Sequence, residues 1–258
     1  MQVQFLGTGT SFGVPVIGCK CPTCRSDDPR DQRTRHSLII ESGGTRLLVD
    51  TPPELRLQLV KEGIDSVDAV FLSHEHADHT HGLDDLRIFA GGGREPLPLY
   101  VAQEFEKKLK QRFSYIWDKG GQTQPGSVVP DLDMITFVDG EPISPAGFEL
   151  IPVAFPHGVY RSYGFRVGKL GVIIDGKSVT PGAAKLFSGI EVLIINALWF
   201  GDPHPGHFSI EEAVKIGRWL GANRTYLTHI AHRATHAEIE AGVPIGVSPA
   251  YDGLVIDL

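Results

Sequence analysis

The chain is short of cysteine, of methionine and of positive charge. Its 258 residues include 3 Cys, 2 Met and 3 Trp, and 24 Lys and Arg stand against 31 Asp and Glu, a formal charge of −7. Three cysteines cannot make a framework of paired disulfides, and Cys19 and Cys21 have one residue between them. A thiol cluster on a metal in a reducing compartment is therefore expected. The missing basic excess argues against nucleic acid as the main partner, although bound divalent cations would add charge that residue counts omit. No apolar stretch approaches the ~20 residues of a membrane span, so no membrane partner is expected. The opening MQVQFLGTGT lacks a basic segment followed by an apolar run, so a cytoplasmic location without a secretory leader is expected. Low-complexity tracts and tandem repeats are missing too. The 41% hydrophobic and 21% charged content is ordinary for a globular protein. One domain over residues 1–258 is the simplest organisation, and a homodimer is compatible with it.

What is present is a series of short β-branched runs. VQFL (3–6), SLII (37–40), RLLVD (46–50), AVFLS (69–73) and PLYV (98–101) form one set. MITFV (134–138), FELIPV (148–153), YGFRV (163–167), GVIID (171–175), VLIIN (192–196), TYLT (225–228) and LVID (254–257) form a second. Gly, Pro, Asp and Ser separate them, and several are apolar throughout, which suits strands buried on both faces. Helical patterns intervene. Thr51-Pro-Pro-Glu54 and Ser209-Ile-Glu-Glu212 read as capping boxes that open helices, and 101–113 reads as a third helix. Residues 114–133 are the expected flexible stretch. Two blocks of strands, each with helices, predict an α/β fold in which two sheets are sandwiched between helical layers.

The chemistry concentrates after AVFLS, in His74-Glu-His76-Ala-Asp78-His79. Three imidazoles and a carboxylate within six residues at a strand end exceed what packing requires. His74 and His76 can hold one ion, and Asp78 and His79, a turn further, a second. This H-x-H-x-D-H, followed by Gly82 and Leu83, resembles the metallo-β-lactamase-fold hydrolases, whose fold is the αββα four-layer sandwich. The resemblance implies the remaining ligands. His157 in AFPHG would complete the first site, Asp175 would bridge both ions, and His229 in TYLTH would complete the second. Asp50 would be an outer carboxylate that steadies the metal-binding loop.

All three cysteines lie in GCKCPTC, which is one donor short of a closed zinc site. With His229 assigned to the metal pair, His232 in LTHIAH would complete a structural zinc site with Cys19, Cys21 and Cys24, stapling the N-terminal loop (18–25) to the segment that carries His229. The cysteine loop, the opening LGTG and the THIxH near the C-terminus resemble the PhnP-type phosphoribosyl cyclic phosphate phosphodiesterases, over residues 3 to 232.

That resemblance implies two divalent catalytic ions (Mn²⁺ or Zn²⁺), one structural Zn²⁺, and a small phosphate-ester substrate. Asp78 and His207 are the expected catalytic groups, His207 as general acid with His204 as its rival. Lys177, Arg161 and Tyr160 are candidate substrate contacts. The chain departs from its relatives after the bridging carboxylate, where Asp175-Gly-Lys177-Ser178 replaces the usual Thr. The expected activity is hydrolysis of a small cyclic phosphate ester or nucleotide. The alternatives are a tRNA 3′-end processing ribonuclease, which would want a basic arm, and a PqqB-like cofactor-biosynthesis protein. Diiron flavoproteins of this fold carry Glu where this chain has His76, which argues against oxygen chemistry.

Overall fold

The computed structural model describes residues 1–118 and 127–258. Its strands are β1 (Gln2–Gly7), β2 (Ser37–Ser42), β3 (Thr45–Val49), β4 (Ala69–Phe71), β5 (Leu97–Ala102), β6 (Leu132–Phe137), β7 (Leu150–His157), β8 (Tyr160–Val167), β9 (Leu170–Ile173), β10 (Val192–Asn196), β11 (Arg224–Thr228), β12 (Val247–Pro249) and β13 (Val255–Asp257). They form one sheet in the order β13-β1-β2-β3-β4-β5-β6 and a second in the order β12-β11-β10-β9-β8-β7. Neighbours from β3 to β6, and from β9 to β12, run parallel. Parallel strands end at a common edge, and the loops that leave that edge are where open sheets place their sites.

The helices are α1 (Leu55–Glu62), α2 (Ala77–Thr80), α3 (Glu106–Arg112), α4 (Ser114–Trp117), α5 (Pro181–Leu186), α6 (Ile210–Leu220) and α7 (His236–Gly242). One apolar cluster joins the first sheet to α1, α3 and α4 on one side and to the facing surface of the second sheet on the other. A second cluster packs the outer surface of the second sheet against α5, α6 and α7. Period-2 alternation explains why β10 is apolar throughout. Val192 and Ile194 enter the first cluster while Leu193 and Ile195 enter the second. The result is the expected αββα sandwich.

Local readings fared unevenly. The capping box at Ser209 is present in both directions. The one at Thr51 is not: α1 starts at Leu55 with no side-chain cap. The Thr51 hydroxyl instead donates to the His79 carbonyl, and Glu54 pairs with Arg35. Residues 101–102 belong to β5, and the helix expected from 101 begins at Glu106 after a 3₁₀ turn. Within the stretch expected to be flexible, α4 and the start of β6 are ordered elements, and 119–126 lie outside the described residues. β12, three residues long with a proline, carries too little pattern to be read from sequence. Among the described residues, no helix is long and apolar enough to cross a membrane.

Gly82 is where the fold presses hardest on the motif loop. Its N–H donates to Thr51 O at 2.8 Å, and a Cβ there would overlap the Pro52 carbonyl oxygen and lie 2.8 Å from Leu55 Cβ. Backbone cannot yield as a flexible side chain does, so Gly82→Ala is expected to destabilise the protein by about 1–3 kcal/mol. Urea unfolding checks this; an unchanged midpoint would mean that α1 and the motif loop separate freely.

Candidate metal centre

Every residue expected at the centre lies at the end of a strand or in the turn that follows. Asp50 follows β3, His74 and His76 follow β4, and α2 carries Asp78 and His79. His157 ends β7, Asp175 follows β9 and His229 follows β11. Asp50, Asp175 and His229 have φ of 62°, 54° and 56°. Left-handed backbone at non-glycine residues is uncommon, though Asp and His tolerate it better than most. Its presence at three of these positions marks turns held for chemistry rather than for ease of folding.

Two tetrads of donor atoms result, His74, His76, His157 and Asp175 in one, and Asp78, His79, Asp175 and His229 in the other, each set within 4.8 Å. In the first, His74 Nε2 lies 3.0 Å and His157 Nε2 3.3 Å from His76 Nδ1. Asp175 Oδ2 is 3.5 Å from His74 Nε2 and 3.8 Å from His157 Nε2. In the second, His79 Nε2 lies 3.3 Å from both Asp78 Oδ2 and Asp175 Oδ2, and His229 Nε2 lies 3.2 Å from Asp175 Oδ1. Ligands about 2.1 Å from a tetrahedral ion stand about 3.4 Å apart, so these separations match the edges of coordination polyhedra. Asp175 belongs to both.

The outer hydrogen bonds decide which ring nitrogens face inward. The Ser73 hydroxyl donates to Asp50 Oδ2 at 2.8 Å, so His74 Nδ1–H must donate to Ser73 Oγ, at 2.9 Å. That leaves the Nε2 lone pair of His74 pointing into the centre. His79 Nδ1–H donates to Asp50 Oδ2 at 2.7 Å, and His157 Nδ1–H to the Gly206 carbonyl at 2.8 Å. Asp50 also accepts from the Ser73 N–H at 2.8 Å. This outer shell holds three rings in one tautomer and orientation, as ligating imidazoles require. Asp50 is the expected steadying carboxylate; Ser73 and Gly206 were not foreseen, because their roles depend on what folding brings beside them.

Inside the centre, the buried atoms His79 Nε2, Asp175 Oδ1, His229 Nε2 and His207 Nδ1 have no hydrogen-bond partner. Burial, with His79 beside it, holds His74 well below the usual imidazole pKa, so that ring is neutral. Burial also opposes charge on His79, but the Asp78, Asp50 and Asp175 carboxylates outweigh it and hold this ring well above the usual value. A divalent ion held by the second tetrad would therefore compete with that proton. Converging lone pairs, a shared carboxylate and orphaned donors together fit a pair of divalent cations; mixed imidazole and carboxylate donors suit Zn²⁺ or Mn²⁺.

The cysteines meet His232, with Cys19, Cys21 and Cys24 Sγ at 3.3, 3.4 and 3.4 Å from its Nδ1. Bonds of ~2.3 Å to sulfur and ~2.1 Å to nitrogen give a tetrahedral S···N edge of about 3.6 Å, so the group has the dimensions of a Cys₃His site. The backbone N–H of Cys24 lowers Cys21 to about 6, whereas burial raises Cys24 to about 11.

A cavity of about 710 Å³ opens over the centre, lined among others by Ser11, His76, Asp78, Tyr160, His204 and His207. The His207 ring stacks on His229 with centroids 4.9 Å apart and meets His157 edge-on at 4.6 Å. Burial pushes its pKa down to about 3, against the pull of the Asp175 carboxylate. His204 lies further out, its Nδ1 accepting from the Gly206 N–H at 3.1 Å and its ring edge-on to Trp199. Of the residues named as substrate contacts, Tyr160 lines the cavity. Lys177 does not: Glu212 holds its ammonium at 2.7 and 2.8 Å. Arg161 lies 3.9 Å from Glu104 in a neighbouring cleft that His74, His76 and Tyr160 also line.

This fold and this pair of tetrads define a metal-dependent hydrolase domain. The beta-lactamase superfamily domain matches residues 45–230, and the chain belongs to that superfamily. Within it the chain is a PhnP-family protein: it is 36% identical to a structure described as a new diphosphatase from the PhnP family, covering 100% of this chain and 97% of that one with a TM-score of 0.90. It is similar in fold to Zn²⁺-bound PqqB from Methylobacterium extorquens, at 20% identity, full coverage of both chains and a TM-score of 0.82. It is also 36% identical over 256 residues to an octanoyltransferase of Porphyromonas gingivalis, covering 98% of this chain but only 51% of that protein's length.

Two variants test the centre. Asp175→Ala removes the shared carboxylate and is expected to lose about two ions per chain by elemental analysis while the protein stays folded; full retention of both would exclude a bridging role. Cys21→Ser is expected to lose one zinc and to lower thermal stability, since metal-binding energy at such a site is folding energy. Wild-type protein isolated without zinc and with three rapidly reacting thiols would exclude the staple.

Proposed function

We propose that the chain is a dinuclear metal-dependent phosphodiesterase that hydrolyses a small cyclic phosphate ester or nucleotide in the cytoplasm. The observation that carries this reading is Asp175, one carboxylate within reach of both donor tetrads. In it, His74, His76 and His157 hold one ion, Asp78, His79 and His229 the other, and the cysteines with His232 a structural zinc. When bound, a pair of divalent ions supplies a nucleophile at neutral pH and positive charge for the phosphoryl oxygens.

The chain's own residues do the rest. The Asp50–Ser73 network fixes the ligand rings, so that the ligands need not reorganise during reaction. His207 is buried beside the centre with its Nδ1 unpaired, placed to give a proton to the departing oxygen. Burial favours its neutral form, and the negative charge of a bound phosphoryl group favours the protonated one. His204 has Trp199 and the Gly206 amide as neighbours and stands outside that position. Asp78 acts as a ligand at the cavity floor, and Tyr160 bounds the substrate. The net charge of −7 weighs against RNA as the substrate. The PhnP-family relative is a diphosphatase, and hydrolysis of a diphosphate uses the same attack at phosphorus and belongs to the same reading. Octanoyl transfer is not carried over, because the chain spans about half of that relative and its thiols converge on His232.

A general acid matters in proportion to how poor the leaving group is. His207→Ala is expected to slow an alkyl or ribosyl diester by about 10²–10⁴-fold and a p-nitrophenyl diester far less, with metal content unchanged. Steady-state rates of wild type, His204→Ala and His207→Ala on both substrate types decide it. A loss that depends on the leaving group in His204→Ala alone would reverse the roles, and equal losses on both substrates would remove His207 as the acid.

A further inference from the structure

The His207 ring is not held by its buried nitrogen. Nδ1 has no hydrogen-bond partner among the described residues, and Asp175 Oδ1 stands 3.8 Å from it, too far for a hydrogen bond. The place of the ring therefore depends on the backbone that carries it. Before His207, the Gly206 carbonyl accepts from His157 Nδ1–H at 2.8 Å. After it, the Phe208 carbonyl accepts from Leu198 N–H at 3.0 Å, and Ser209 N–H donates to Glu212 Oε2 at 2.8 Å.

Lys177, two residues after Asp175, joins these anchors. Its N–H donates to the Pro156 carbonyl at 2.9 Å, just before His157, and its ammonium donates to Glu212 Oε1 at 2.8 Å and Oε2 at 2.7 Å. A closed circuit results. It runs from His157 through Gly206 to Ser209, on to Glu212, and back through Lys177 to Pro156, with His207 inside it. The turn that carries Asp175 has its own support, since Gly176 N–H donates to Asn196 Oδ1 at 2.8 Å and Asn196 Nδ2 donates to the Gly176 carbonyl at 3.2 Å. Nor does α6 call for Lys177. Its capping box is complete between Ser209 and Glu212. The positive end of the helix dipole favours a carboxylate there and opposes an ammonium. The tether accounts for Lys177; the helix does not.

We propose that Lys177 is a positioning residue for His207: by drawing Glu212, and with it the start of α6, toward the Asp175 turn, it sets where the proton donor stands over the metal centre. The inference rests on the reading of His207 as general acid and extends it to a side chain outside the cavity. A proton donor must come within about 2.6–3.2 Å of the departing oxygen. A displacement of about 1 Å, caused by a change far from the chemistry, can cost about 10²-fold in rate. The ligand rings are held by Asp50, Ser73 and Gly206 instead, so the ions are expected to stay when the tether is cut.

Lys177→Met keeps the aliphatic stem and removes the ammonium. In the Zn²⁺-loaded enzyme it is expected to slow an alkyl or ribosyl diester by about 10- to 100-fold. A p-nitrophenyl diester should stay within about twofold, because p-nitrophenolate leaves without a proton. Ion content should not change, and Lys177→Arg should recover most of the loss by restoring a cation opposite Glu212. Glu212→Gln, which keeps an oxygen for the Ser209 N–H, should show the same selective loss and serves if Lys177→Met does not fold. In a His207→Ala background, Lys177→Met should add nothing, since both act through one group. With His207→Ala itself selective, an unchanged alkyl rate, equal losses on both substrates, a lost ion or an undiminished effect in the double variant overturns the inference. A crystal structure of Lys177→Met keeps the two readings apart. Its His207 ring should leave the stack on His229, and an unmoved ring overturns the positioning role. If the ring is displaced but His207→Ala shows no dependence on the leaving group, the general-acid reading falls and the role of Lys177 stands.

Discussion

One buried carboxylate, Asp175, lies within 3.8 Å of ring nitrogens from five histidines: His74, His79, His157, His207 and His229. An ionised carboxylate is costly to bury unless charge and hydrogen bonds answer it. Here the answer is drawn from both sheets. His74 and His79 come from the loops of the first sheet, and His157 and His229 from strand ends of the second. The sandwich brings these loops to one edge, and the charge at that edge has to be balanced by cations or protons.

A graded series of supports surrounds that carboxylate. Asp50, fully buried, accepts from Ser73 and His79 and so orients two ligand rings at once. Gly206 orients a third through its carbonyl. Farther out, Cys19, Cys21 and Cys24 converge on His232, three residues after His229.

The cavity over the centre meets a smaller one, lined by Phe12, Trp199 and Arg233 among others, at His204, His207 and His229. One presents the paired tetrads and Tyr160; the other presents an aromatic and cationic wall. His204 lines both as well, and what sets His207 apart is its deeper burial and its ring stacked on His229, 4.9 Å between centroids.

The sequence by itself determined a good deal. Strand positions were legible because buried β-branched runs bounded by Gly, Pro and Asp have few other uses, and the two-sheet layering followed in outline, but β6 and β13, read with the second block, pair into the first sheet, because sheet membership is set by pairing rather than by chain order. His74, His76, Asp78 and His79 were legible because they are neighbours in the chain. His157, Asp175, His229 and His232 were reached only through resemblance, since each is an isolated residue and proximity across 80 to 210 positions leaves no local mark. Only the tertiary structure decided which partners each candidate side chain meets. Lys177 is held by Glu212, whereas Arg161 stands 3.9 Å from Glu104 in a cleft that His74, His76 and Tyr160 also line. Thr51 looked like a helix cap until folding brought the His79 carbonyl to its hydroxyl. Ser73 and Gly206 had no signature at all. A side chain's chemistry is written in the sequence, but its partner is chosen by the fold, because hydrogen bonds and ion pairs form with whatever the backbone carries within about 3 Å.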